Sequence, residues 1–72
     1  MALFSERLKE LRKSRNITQK QISEYLDIAE RNYRRYEISE TDPTTQVSIK
    51  IADFYDVSLD YLVGRSDNPK RR

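Results

Sequence analysis

The sequence predicts an all-α fold of five short helices, and three observations carry that prediction. Apolar residues recur at helical spacing in short blocks: Phe4, Leu8 and Leu11, then Ile22 and Leu26, then Val47, Ile51 and Phe54. Residues that cap helix starts or stops stand at the edges of those blocks. No stretch alternates as a strand would, and no internal repeat appears.

The first helix is expected over residues 5–15, with Ser5 as its N-cap and Asn16 ending it. Arg7, Lys9, Arg12, Lys13 and Arg15 cover its remaining faces. The second helix has the strongest start signal in the chain. Thr18 and Gln21 have capping-box spacing, so each side chain can satisfy the other's orphan amide, and Ile17 and Ile22 occupy the two positions of a hydrophobic staple. This helix buries Ile22 and Leu26 beside the small Ser23 and stops near Asp27, a residue type that tolerates the left-handed conformation. Ile28 can plug the turn, and the third helix follows from about Ala29 to Glu37. The breaker-rich ISETDP then leads to Pro43, which forces an extended approach. Thr44 or Thr45 can cap the fourth helix, whose stripe of Val47, Ile51 and Phe54 is widened by Ala52 and Tyr55. Ser58 caps a short last helix with apolar Leu59, Leu62 and Val63, and Gly64 is its C-terminal stop. The expected organisation is one domain over 1–64 and a basic, disordered tail over 65–72.

Composition removes several classes of function. There is no cysteine, hence no disulfide or thiolate metal site, and no histidine, the commonest metal ligand and general base. The single glycine excludes a glycine-rich phosphate loop. With no recognisable constellation of carboxylates, neither an enzyme nor a metal or cofactor site is expected. No apolar run reaches the length of a membrane span and no signal peptide opens the chain, so the expectation is a soluble, cytoplasmic protein. The net charge is +2, but residues 1–37 carry +3, residues 38–64 carry −4 and residues 65–72 carry +3. That layout suits a face for an anionic partner, and it equally suits uneven scatter in a small domain.

The third helix is more telling. At about 100° per residue, Arg31, Arg34 and Arg35 fall within one arc of about 100°. Ala29, Tyr33 and Tyr36 fall opposite, while Glu30 and Asn32 flank the arginines. The helix therefore has a basic face and a largely aromatic back that can pack on a core. Clustered like charges cost a few tenths of a kcal/mol per close pair, roughly. Glu30 offers Arg34 an i, i+4 partner, whereas Arg31 and Arg35 have no acid four residues upstream on this helix. Arginine presents a planar fork that suits phosphate oxygens and the guanine edge. A capped helix, a short turn and a second helix of this kind make a helix-turn-helix layout, in which the second helix enters the major groove.

Three stretches, SERLKELRKSRNIT, TQKQISEYLDIAERNYRRYE and IADFYDVSLDYLVG, together resemble the Cro/CI-type (xenobiotic-response-element-type) helix-turn-helix repressor domains over about residues 5–64. The resemblance implies a lambda-repressor-like five-helix domain that reads pseudo-palindromic operator DNA as a homodimer, in a prokaryotic or phage setting. By position, Glu30, Arg31 and Arg35 match base-facing sites. Gln19 matches a phosphate-contacting glutamine, and Asn32 a site that can contact phosphate. Thr18 and Lys20, at the same helix start as Gln19, are assigned to phosphate as well, and Arg34 serves phosphate or Glu30. Glu30 itself can accept from a cytosine amine or only hold Arg34. Arg12 and Glu37 match an ion pair found in the phage members. Leu59, Tyr61, Leu62 and Val63 are assigned to core closure and to a dimer interface. Asp27 stands where the family usually has glycine, Ala29 where it has a small polar residue and Tyr33 where it has an aliphatic one. Thr45 and Ser48 stand where leucines are common.

The leading expectation is a sequence-specific DNA-binding transcriptional regulator, acting as a repressor, nucleoid-associated and without a sensor domain. Release would then come from proteolysis, a protein antagonist or weak dimerisation. The alternative is a protein-interaction module of the antitoxin kind, using the apolar last helix or the acidic middle.

Overall fold

In the computed structural model, which describes residues 2–70, five helices follow one another: α1 (Ala2–Ser14), α2 (Gln19–Leu26), α3 (Glu30–Glu37), α4 (Thr45–Tyr55) and α5 (Leu59–Leu62). Among the described residues no strand occurs. The core gathers Phe4 and Leu8 from α1, Ile22 and Leu26 from α2, Tyr33 from α3, Ile51, Ala52 and Tyr55 from α4, then Val57 and Leu62. Each fully buried aliphatic or aromatic side chain stabilises by about 1.5–3 kcal/mol relative to exposure. α3 rests on α1 and α2, while α5 rests on α1 and α4. The arginine-bearing helix is thus held from behind by the first two helices and left open in front.

Local chemistry explains the starts. Thr18 accepts from the Gln21 amide at 3.1 Å while the Gln21 side chain accepts from the Thr18 amide at 2.8 Å, a complete capping box. Thr44, rather than Thr45, caps α4 by accepting from Val47 N at 3.2 Å. Ser58 does the same for α5 at 3.0 Å. The expectation for α1 needs correction. Ser5 lies inside this helix and is buried. The helix extends upstream through Phe4, whose side chain joins the core one turn before Leu8.

The helix ends share one device. The left-handed region is occupied by Asn16 (φ 55°), Asp27 (φ 59°), Ser39 (φ 63°), Asp56 (φ 56°) and Gly64 (φ 88°). The next amide reaches back five residues in each case: Ile17 to Arg12 O (3.3 Å), Ile28 to Ser23 O (3.1 Å), Glu40 to Arg35 O (2.9 Å), Val57 to Ala52 O (3.0 Å) and Arg65 to Asp60 O (2.7 Å). Ile17, Ile28 and Val57 then tuck against the core, so the same turn stops a helix and seals its end.

The segment after α5 makes contacts with the helices before it. Residues 65–70 lie back on α5: Ser58 N donates to Pro69 O at 2.9 Å. Arg7, largely buried on α1, donates to the carbonyls of Tyr61 and Ser66, the latter at 2.6 Å. Its guanidinium also meets Asp67 Oδ1 at 2.9 Å and lies 4.1 Å from the centre of the Tyr61 ring. Such an arrangement pairs a desolvated cation with carbonyl dipoles and an aromatic face. Arg71 and Arg72 lie outside the described residues.

Candidate nucleic-acid interface

Glu37 anchors the site. It ends α3, is almost fully buried and accepts four hydrogen bonds. Arg12 grips it with a fork, Nε to Oε2 at 2.7 Å and Nη2 to Oε1 at 3.1 Å. The Tyr33 hydroxyl donates to Oε2 at 2.6 Å, and Gln19 Nε2 donates to Oε1 at 3.1 Å. Both carboxylate oxygens therefore take two donors, which uses the group's full capacity. Burial by itself would raise the Glu37 carboxyl, but the hydrogen bonds from Arg12, Tyr33 and Gln19 prevail and hold it below its ordinary value. The hydrogen bond to Glu37, opposed by burial, raises the Arg12 guanidinium. Burial, then the bond to Glu37, pushes the Tyr33 hydroxyl far up, so it stays a donor.

The network continues outward. Gln19 Oε1 accepts from Arg34 Nε at 3.4 Å, and Arg34 Nη2 lies 3.7 Å from Glu30 Oε2. Arg34 is more than half exposed, so this last pair contributes little energy and can be exchanged for another anion. Arg35 Nε is 4.0 Å from Glu40 Oε1, again a loose exposed contact. Among the described residues Arg31 has no acidic partner within salt-bridge distance.

The residues singled out in the sequence separate accordingly. Arg31, Asn32, Arg34 and Arg35 are exposed on α3, with Glu30 half-buried at its first turn. Thr18 and Lys20 are exposed at the start of α2, and Gln19 beside them bridges into the core. Tyr33 lies in the core and Tyr36 at its edge, their rings in edge contact at 6.0 Å. Ala29 differs from the helical-wheel placement: it is the extended N-cap (φ −66°, ψ 142°), outside the helix and exposed, so the wheel angle does not apply to it.

Leu59, Tyr61, Leu62 and Val63 do not share one surface. Leu62 is fully buried in the chain's own core, because α5 closes over α1 and α4 there. Tyr61 lies against Arg7. Leu59 and Val63 instead line a groove with Phe4, Pro43, Thr45 and Ser48, where two small polar residues leave room between apolar ones.

Of the contacts that the sequence reading missed, two differ in the signal they left. Tyr33 and Glu37 are four residues apart on one helix, so their bond had a visible signal in the i, i+4 spacing. The approach of Glu40 to Arg35 had none, since it depends on the left-handed Ser39 turning the chain.

α2, a three-residue turn over 27–29 and α3 with its polar outward face define a helix-turn-helix unit, the class of small all-α domains that present one helix to nucleic acid. The chain belongs to the helix-turn-helix family, whose model matches residues 8–62. It is 39% identical over 68 residues to the HTH-type transcriptional regulator ImmR of Bacillus subtilis (strain 168), covering 94% of this chain and 54% of that one. It is 42% identical over 62 residues to the cryptic phage CTXphi transcriptional repressor RstR of Vibrio cholerae serotype O1, covering 86% of this chain and 55% of that one. A third relative, the uncharacterized HTH-type transcriptional regulator YobD of Bacillus subtilis (strain 168), is 36% identical over 67 residues, covering 93% of this chain and 60% of its own length. The chain thus spans little more than half the length of these relatives. No solved structure gives a significant match. The relatives are regulators of transcription by name. Among the described residues no helix is long and apolar enough to cross a membrane, and no cluster of side chains could hold a metal ion.

Proposed function

We propose that this chain is the DNA-reading part of a cytoplasmic transcriptional repressor that binds a pseudo-palindromic operator as a homodimer. α3 enters the major groove, where Arg31 and Arg35 present their forks to guanine edges and Glu30 accepts from a cytosine amine. Thr18, Gln19 and Lys20 at the start of α2 meet the phosphate backbone, joined by Asn32 and Arg34. Repression follows from occupying the operator and excluding polymerase. The observation that carries this reading is the division of α3: an exposed face of three arginines whose acid partners among the described residues are loose and surface-lying, above a buried carboxylate that fixes the helix from behind. The repressor assignment also draws on the relatives, one of which is named a phage transcriptional repressor. Leu59 and Val63, on the groove beside Pro43, are the residues for contact with a second copy.

In-vitro selection of bound duplexes from a random pool tests the proposal. The expected product is a symmetric pair of half-sites one helical turn apart, about 10 base pairs centre to centre. A pool that stays random at low salt rules out sequence reading. An asymmetric single half-site rules out the dimer.

A further inference from the structure

We propose that Tyr33 is a positioning residue for DNA binding, acting from inside the core through Glu37 on Gln19; this rests on the DNA-reading function above. The geometry runs in one direction. Among the described residues the Tyr33 hydroxyl is the only side-chain donor other than Arg12 on Glu37 Oε2, at 2.6 Å. The Arg12 fork pairs with both oxygens, and the Tyr33 bond to Oε2 holds that pair at the tilt that presents Oε1 to Gln19 Nε2 at 3.1 Å. Gln19 then has its Nε2 engaged inward and its Oε1 engaged by Arg34 at 3.4 Å. One N–H of the Gln19 amide remains, and it belongs to a side chain that can no longer rotate freely. The amide is thereby ordered before any DNA arrives, and the ordering cost falls on folding instead of on binding.

The same chain of contacts gives Arg34 its place. Gln19 takes its Nε and Glu30 its Nη2, so Arg34 is held between the start of α2 and the first turn of α3. Loss of the Tyr33 hydroxyl leaves Glu37 paired with Arg12 through both oxygens, so the helix stays docked, but the Arg12–Glu37 pair loses the bond that fixes its tilt and its hold on Gln19 loosens. A residue with no route to solvent, 0% exposed, in this way sets the order of a polar surface.

The test is Tyr33→Phe combined with Gln19→Ala, read on the duplex recovered by selection at a temperature where each variant is folded. Tyr33→Phe is expected to weaken binding roughly three- to tenfold. Gln19→Ala is expected to weaken it similarly, and the double variant no further than the larger single effect. An unchanged Kd for folded Tyr33→Phe, even with a lower Tm, overturns the proposal, as do additive effects in the double variant. Side-chain NMR of the free wild-type protein is the independent measurement should Tyr33→Phe not fold. A shifted, slowly exchanging Gln19 amide supports the ordering, and an ordinary exposed-glutamine signal overturns it. If the wild type selects no sequence, the DNA-reading function itself fails; if it selects one and Tyr33→Phe binds it equally well, only the positioning role fails.

Discussion

Glu37 illustrates how a buried charge is kept at the residue scale. Desolvation works against its ionised form, and four donors on two oxygens outweigh it. Glu37→Gln removes one partner of a buried pair and leaves the Arg12 guanidinium without its anion, so it is expected to destabilise by about 3–5 kcal/mol in urea unfolding at neutral pH. The folded-state pKa of Glu37 is depressed. Its contribution is therefore complete above the ordinary carboxylate value of about 4.3 and disappears as pH falls through the lower folded value. Acid should erode the wild type more steeply than Glu37→Gln below about pH 4; parallel acid slopes would contradict the assignment. Tyr55 presents the opposite case. Among the described residues its buried hydroxyl has no hydrogen bond of good geometry, and burial, opposed in part by the neighbouring Tyr33 hydroxyl, pushes its pKa up to about 12. Tyr55→Phe should stabilise by about 1 kcal/mol, read as a higher Tm, because an unsatisfied polar group leaves the core. On the surface, Arg35→Ala should cost about 1–3 kcal/mol of discrimination at one base pair. Equal losses on operator and scrambled duplex would remove its base-reading role.

At the scale of elements, the shared helix ending carries a cost that differs by residue type. Asn and Asp tolerate the left-handed region, glycine enters it freely, and Ser39 does neither as well. Ser39→Gly should stabilise by about 0.5–1 kcal/mol. A loss of stability on chemical denaturation would show that the Ser39 side chain contributes more than its φ angle costs. The element scale is also where the sequence was most legible. The capping box of α2 and the caps at Thr44 and Ser58 are local devices, and local devices are written in adjacent residues. Ser5 misled because a serine before an apolar run resembles a cap, while the packing of Phe4 extends the helix past it.

For the whole molecule, the division of surfaces matters most. α3 with the start of α2 forms one face, and the groove between α1, α4 and α5 forms another that is lined by Phe4, Pro43, Leu59 and Val63. If that groove joins two copies, each copy gains affinity for DNA from its partner's half-site through a raised effective concentration. Leu59→Asp should then leave the helical signal intact, yield a monomer in sedimentation and weaken operator binding by roughly tenfold or more. A variant that sediments as a dimer would place the interface elsewhere. The Arg7 clasp on Ser66 and Asp67 belongs to this scale too, since it ties the segment after α5 to the first helix.

The sequence by itself determined the number of helices, most of their caps and the two-faced character of α3, because these depend on residues within a turn or two of each other. It also set out which residue types could meet DNA. Tertiary structure decided what no local pattern contains. It buried Leu62 fully in the core and left Leu59 partly buried on the wall of a groove, although both are leucines on one short helix. It folded residues 65–70 back onto α5 through an arginine some sixty positions upstream. And it joined Arg12, Gln19, Tyr33 and Glu37, drawn from three helices, into one buried network. Such a network arises only when the helices are docked, since no member satisfies the carboxylate alone and the desolvation that makes the bonds strong is itself a product of packing.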